Sequence, residues 1–261
     1  MSRVIAVSNQ KGGVGKTTTT INLATAMAAC GSKVLIVDFD PQGNATTGFG
    51  IDKTKCEKNI YAVITEQCGI KEAIYKTDVP GLDIVPSTVH LSGGEIELVS
   101  AIAREYRLKN ALAEVADVYD YVFVDCPPSL GLLTINALTA AQQVMVPLQT
   151  EFFAMEGISQ LFRTIELVKR SLNPSLELMG VLLTMYDRRN NLSGLVEADV
   201  REHLGKKVFN TVIPRNVRVS EAPSHGKPVL LYDVNCPGSR AYMSLAAEIL
   251  KTAKAEVRTA A

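Results

Sequence analysis

Apolar runs of strand length alternate along this chain with stretches in which apolar residues recur every three or four positions. The runs are residues 3–8, 33–38, 81–86, 121–125, 144–148 and 178–184, and 208–213 makes a seventh. Near-continuous apolar character, as in Lys33-Val34-Leu35-Ile36-Val37-Asp38, is what a strand covered on both faces requires. Ile21, Ala24, Thr25 and Ala28 then recur at helical spacing, with Gly31 as a stop. A helix is expected around 60–67. Ile96, Val99, Ile102, Ala103, Tyr106, Leu108, Leu112 and Val115 predict one long helix over 95–118, and another spans 154–171. Strands alternating with helices predict an α/β fold, a doubly wound, mostly parallel sheet with helices on both faces. No repeat, low-complexity segment or linker interrupts the pattern, so a single domain over 1–261 is expected.

Between the first strand and the first helix the chain reads Gln10-Lys11-Gly12-Gly13-Val14-Gly15-Lys16-Thr17-Thr18. Closely spaced glycines let successive N–H groups turn inward on a phosphate chain. Lys16 supplies a cation for the β/γ oxygens, the Thr17 hydroxyl can ligate Mg²⁺, and the start of a helix adds its positive end. Strand, glycine loop and helix together predict a nucleotide-phosphate site. The loop departs from the common G-x-x-x-x-G-K-[ST] pattern, because Gln10 stands where the first glycine would be and a second lysine, Lys11, follows it.

Two strands end in acids that such a site needs. The run 33–38 closes in Asp38-Phe39-Asp40-Pro41-Gln42-Gly43-Asn44, and alternation along a strand would aim at most one of Asp38 and Asp40 at the phosphates. The run Tyr121-Val122-Phe123-Val124-Asp125 is the Walker B pattern, whose carboxylate holds Mg²⁺ through water. Pro127-Pro128 stiffens the following loop, and Cys126 reads as a packed thiol. A guanine site in the GTPase style needs N-K-x-D, which does not occur, so ATP is expected as the base-bearing ligand.

Composition narrows the picture without redirecting it. Hydrophobic residues make up 47% of the 261, ample for a core. No stretch approaches the ~18 apolar residues of a membrane span, and Met1-Ser2-Arg3 leads directly into the first strand without a leader. The 5 cysteines are scattered with no C-x-x-C, which suits reduced thiols in a cytoplasmic protein. Net charge is 0, so a nucleic-acid surface must be a local patch. Between 186 and 240, 9 Lys/Arg face 6 Asp/Glu, a mild excess that includes Arg188, Arg189, Arg218 and Lys227. A solvated face is the default reading of so mild an excess, although clustered arginines beside Asn190 and Asn191 would also serve sequence-blind phosphate contacts.

K-G-G-V-G-K-T-T-T-T, D-F-D-P-Q-G-N-A-T, V-D-C-P-P-S, L-T-M-Y-D-R-R-N and V-I-P-R-N-V-R-V-S-E-A-P-S-H-G-K-P occur in that order between Lys11 and Pro228, within a likeness that runs from residue 3 to about 250. In this the chain resembles the bacterial ParA/Soj chromosome-partitioning ATPases, which are deviant Walker A P-loop enzymes. The resemblance implies a nucleotide-sandwich homodimer in the ATP state, with Lys11 reaching the partner's phosphates. It implies that Lys16 and Thr17 keep the roles above, that Asp40 positions the attacking water near Mg²⁺, and that Asp125 is the Walker B acid. Pro214 and Asn216 fall where the family contacts adenine. Arg189 and Arg218, with Arg188 and Lys227, fall in its surface for non-specific double-stranded DNA, and the implied partner is a ParB-type centromere-binding protein. Nucleoid association in the cytoplasm follows.

Two rivals share the deviant loop. A MinD-like membrane-associated positioning ATPase would end in a basic amphipathic helix, whereas 244–261 reads better as a packed last helix, so no membrane is expected. A metabolic relative would need paired cluster cysteines for iron–sulfur reduction, which are absent, or a substrate pocket for amide formation.

Overall fold

Residues 2–151 and 154–260 are described by the computed structural model. Its strands are β1 (Arg3–Val7), β2 (Val34–Asp38), β3 (Tyr75–Lys76), β4 (Leu82–Val85), β5 (Tyr121–Asp125), β6 (Gln143–Gln149) and β7 (Glu177–Thr184). They form one sheet in the order β3-β4-β2-β5-β1-β6-β7, parallel throughout except for the β3–β4 pair. The helices are α1 (Lys16–Ala29), α2 (Asn44–Gly48), α3 (Ile60–Ile64), α4 (Leu91–Glu97), α5 (Arg107–Ala113), α6 (Leu132–Ala140), α7 (Ala154–Ser171), α8 (Asn191–Leu204), α9 (Val217–Glu221), α10 (Val229–Tyr232) and α11 (Pro237–Ala260).

Every residue of β2 and β5 is buried, as their apolar runs require. Because side chains alternate along a strand, Ile5 and Val7 join Leu23, Met27, Tyr242, Leu245 and Ile249 on one face. Val4 and Ala6 join Leu108, Leu112, Ala137, Leu138 and Leu161 on the other. The expected doubly wound arrangement is therefore present. Its consequence for function lies in strand order. β5 sits between β1 and β2, so Val7, Asp125 and Asp38 come side by side at the carboxyl ends of three adjacent strands. That is the edge at which open α/β sheets bind ligands.

Two expectations fail for identifiable reasons. Residues 208–213 make no strand and meet β7 at separate points, the Val181–Val208 pairing and the Phe209 and Ile213 N–H groups donating to the Val181 and Leu183 carbonyls at 3.0 and 2.8 Å. The Glu248 carboxylate of α11 accepts from the Asn210 and Thr211 backbone N–H groups at 2.8 and 3.0 Å, so those donors are taken from any ladder. The long helix over 95–118 is instead α4, two 3₁₀ turns and α5, with Ala103 in the left-handed region at φ 53°. Asn136 of α6 holds the break, donating to the Arg104 carbonyl at 2.8 Å and accepting from the Leu108 N–H at 3.3 Å. Ile96, Val99 and Ile102 consequently face solvent, while Leu108, Leu112 and Val115 stay buried. The helix near 60–67 is present but stops at Ile64, and the two-residue edge strand β3 escaped the sequence pattern because it is too short to show one.

Candidate active site

The loop between β1 and α1 owes its shape to backbone that only glycine enters freely. Gly13 and Gly15 have φ of 76° and 89°, and Gly15 caps a 14-residue helix whose first N–H groups receive no side-chain cap. Val14 is buried, and the Thr184 hydroxyl at the end of β7 donates to its carbonyl at 2.8 Å, pinning the loop to the sheet. Unpaired donors at a helix N-terminus, ringed by a turning backbone, are a ready anion cradle.

Lys16 points into that cradle. It is 6% exposed, and its ammonium donates to the Lys11 carbonyl at 3.0 Å. Burial lowers its pKa, opposed by the negative potential of Asp125 and Asp40. Lys11 behaves differently. Its side chain is 45% exposed and ion-paired with Glu151, while the Asn9 carboxamide accepts from its backbone N–H at 3.0 Å.

The acids converge as strand order dictates. Asp125 is fully buried. Thr20 on α1 donates to its Oδ1 at 3.1 Å, and its Oδ2 has no hydrogen-bond partner among the described residues. Asp38 is fully buried beside it, its Oδ2 accepting from the Thr46 N–H at 2.7 Å and hydroxyl at 2.6 Å. β2 ends at Asp38, so strand alternation never reaches Asp40, which lies in the following turn and accepts from the Gln42 N–H at 2.9 Å. Both acids are buried at this edge. Burial pushes the Asp125 carboxyl up to about 8, with the charge of Asp38 adding to the effect. Burial also pushes Asp38 up to about 6, against the hydrogen bonds from Thr46 that favour its anion.

These carboxyls want a cation. An orphaned buried carboxylate oxygen, a second carboxylate beside it and the Thr17 hydroxyl, near enough to favour the Asp125 anion, make a hard, all-oxygen donor set that suits Mg²⁺. Without one, Asp125 should be a stability liability. Its folded pKa lies above the unfolded 3.8, so the folded state holds the extra proton and stability falls as pH rises from about 4 through about 8. Asp125→Asn should therefore melt higher than the wild type at pH 8 without nucleotide, by roughly 2–4 °C per kcal/mol relieved. The gain should shrink towards pH 5, and equal melting temperatures at both pH values would contradict it.

The remaining sequence candidates gather on the same edge without touching the carboxylates. Pro214 pairs with Tyr186 just beyond β7, and Asn216 caps α9 by accepting from the Val219 N–H at 3.3 Å. Thr18 accepts from the Asn22 carboxamide at 2.8 Å through its carbonyl. Arg188 and Arg189 are exposed after β7, with Arg189 held bidentate by Asp187 at 3.0 and 2.9 Å. Arg218 pairs with Glu221 at 3.1 Å, and Lys227 is exposed. The residues that reading the sequence missed are Thr20, Thr46 and Glu151. The first two carried a signal in the T-T-T-T run and in the Asn-Ala-Thr after Gly43.

A family model described as an AAA domain matches residues 2–178. The chain is 59% identical over 250 residues to the chromosome partitioning protein ParA of Caulobacter vibrioides, covering 95% of this chain and 94% of that one. It is 53% identical over 249 residues to the sporulation initiation inhibitor protein Soj of Bacillus subtilis, covering 95% and 98%. This chain belongs to the ParA/Soj family. As a ParA/Soj protein it is a P-loop ATPase of chromosome partitioning that uses ATP and Mg²⁺. Among solved structures it resembles cobyrinic acid a,c-diamide synthase from Mycobacterium smegmatis with bound ADP and magnesium, with TM-score 0.86, 39% identity, and 97% and 96% of the two chains covered. The septum site-determining protein MinD of Pyrococcus horikoshii complexed with Mg-ADP shares the fold, with TM-score 0.82 and 24% identity over 97% and 98% of the chains. These two ParA/Soj relatives match 95% of this chain, beyond the limits of the AAA-domain match.

Proposed function

We propose that this ATPase, acting as one domain over 1–261, is a switch that couples ATP binding to dimerisation and dimerisation to non-specific DNA binding. The observation that carries the proposal is the pair of lysines on one loop. Lys16 fills the cradle from within, while Lys11 presents a half-exposed ammonium at its mouth, where the protomer's own phosphate site has no need of it.

ATP would lie along Gly12, Gly13, Val14, Gly15, Lys16, Thr17 and Thr18, with its base towards Pro214 and Asn216. Thr17 and Asp125 would hold the magnesium, Asp125 through water, and Asp40 would stand near it. The metal supplies neutralisation of the β- and γ-phosphate charge. Two protomers close over two nucleotides, each Lys11 entering the other's site. Asp40 holds the attacking water, and hydrolysis removes the charge that holds Lys11 in place, returning the monomer. A ParB-type partner accelerates that step.

In the closed dimer, Arg188, Arg189, Arg218 and Lys227 are present twice on one assembly. DNA phosphates would replace Asp187 as the partner of Arg189, and Glu221 and Asp233 as the partners of Arg218. Exposed pairs of this kind are each worth roughly 0–1 kcal/mol, so displacing the acids costs little. Affinity then rises steeply with the number of phosphate contacts and falls steeply with salt. Retention on non-specific duplex DNA should therefore require ATP, fail with ADP, and drop by about tenfold or more in Arg189→Glu while ATP-dependent dimerisation persists. Equal retention with ADP would overturn the switch. Retention on anionic vesicles in place of DNA would favour the MinD-like reading, although no described helix is long and apolar enough to cross a membrane.

A further inference from the structure

We propose that Glu151 is a positioning residue that holds Lys11 in cis, so that each protomer must release its own lysine before that lysine can serve the partner's site; the proposal rests on the trans role of Lys11 given above. The residues lie 140 positions apart and meet because β1 and β6 are neighbours in the sheet. Lys11 follows β1 and Glu151 follows β6, so both emerge at the same carboxyl edge.

Each end of the contact is anchored through its backbone. Asn9 accepts from the Lys11 N–H at 3.0 Å and donates to the Pro147 carbonyl of β6 at 2.8 Å, which ties the lysine's loop to the strand that carries the acid. Beside Glu151, the Thr150 N–H donates to the Thr184 carbonyl at 3.4 Å, and its hydroxyl donates to Ser193 of α8 at 3.2 Å. The pair thus stands on two braced segments. Only the two side chains, exposed to 45% and 41%, need to move for it to open.

The other charges near Lys11 sharpen the assignment. Lys16 donates to the Lys11 carbonyl, so its positive charge repels the Lys11 ammonium from the protomer's own cradle. Glu151 gives that ammonium a resting place outside. A lysine so placed cannot reach a second nucleotide until the carboxylate gives it up, and the γ-phosphate of the partner's ATP offers the larger negative charge. The contact therefore sets a threshold against dimerisation in the absence of ATP, and it is broken twice for each dimer formed.

The test compares wild type, Glu151→Gln and Lys11→Ala, each as the full chain. The dimer dissociation constant in ATP and Mg²⁺ is measured by analytical ultracentrifugation. The reactivity of the Lys11 amine in the nucleotide-free monomer is measured by pulsed acylation and mass spectrometry. Glu151→Gln should acylate faster at Lys11 and dimerise roughly two- to thirtyfold more tightly, as expected for the loss of two exposed ion pairs. Its advantage over wild type should shrink as salt is raised. A merely structural defect at position 151 would loosen the dimer, not tighten it. Unchanged or weaker dimerisation by Glu151→Gln, with Lys11→Ala monomeric, overturns the latch and leaves the trans lysine standing. Wild-type dimerisation by Lys11→Ala overturns the trans lysine and the latch with it.

Discussion

Replacing Lys16 with alanine is expected to remove tight ATP binding. The side chain is almost wholly buried, and burial already disfavours its charge, so the ammonium is held there against a desolvation cost by the acids around it. A buried cation of this kind strengthens when phosphate replaces its weak carbonyl partner, the Lys11 oxygen at 3.0 Å. Truncating one member of a buried charge pair typically costs roughly 2–5 kcal/mol, which corresponds to about thirty- to several-thousandfold in the dissociation constant. Titration calorimetry with ATP and Mg²⁺ reads the loss directly. Glycines at 13 and 15 keep the cradle's shape in the variant, so the protein should stay folded, and near-wild-type affinity would remove Lys16 from the phosphate site.

Asp40→Ala should separate binding from chemistry. Asp40 is buried in the turn after β2, close enough to Lys16 and Asp125 to affect the electrostatics of both, yet the one described hydrogen bond of its side chain is accepted from the local Gln42 N–H. Its removal therefore leaves the glycine loop, Lys16 and the Asp125–Thr20 contact intact. Hydrolysis should fall by about a hundred- to ten-thousandfold, the range for removing a group that handles the attacking nucleophile's proton. ATP affinity should stay within a few-fold, and the ATP-bound dimer should accumulate on DNA. Steady-state phosphate release alongside nucleotide binding tests both halves, and wild-type turnover would refute the assignment.

The parts of the site that could be read from the sequence are those made by contiguous residues. Gly12 to Thr17 perform their task through backbone turns and neighbouring side chains, so their order in the chain carries their geometry. Asp125 was legible because an apolar strand ending in an acid beside a glycine loop has few other uses. What escaped depends on which strands become neighbours. Glu151 meets Lys11 only because β6 lies against β1, and Asp38 burdens Asp125 only because β2 and β5 are adjacent in register. The seventh strand failed for a similar reason. Its β-rich sequence is sound locally, but a glutamate on α11 claims the N–H groups that a ladder would use. In 95–118 the apolar period was real, yet Asn136 draws the backbone out of the helix and leaves Ile102 89% exposed. Periodicity reports what a segment can bury, and tertiary hydrogen bonds decide whether it does.

The central claim is that one lysine joins nucleotide state to dimer and DNA state. The most direct measurement adds Lys11→Ala to the slow Asp40→Ala background and determines molar mass and DNA retention with saturating ATP and Mg²⁺. Asp40→Ala alone should run at twice the 28.2 kDa protomer mass and stay on DNA. The double variant should still bind ATP, remain at the protomer mass and wash off DNA. A double variant that dimerises and holds DNA like its parent would contradict the account.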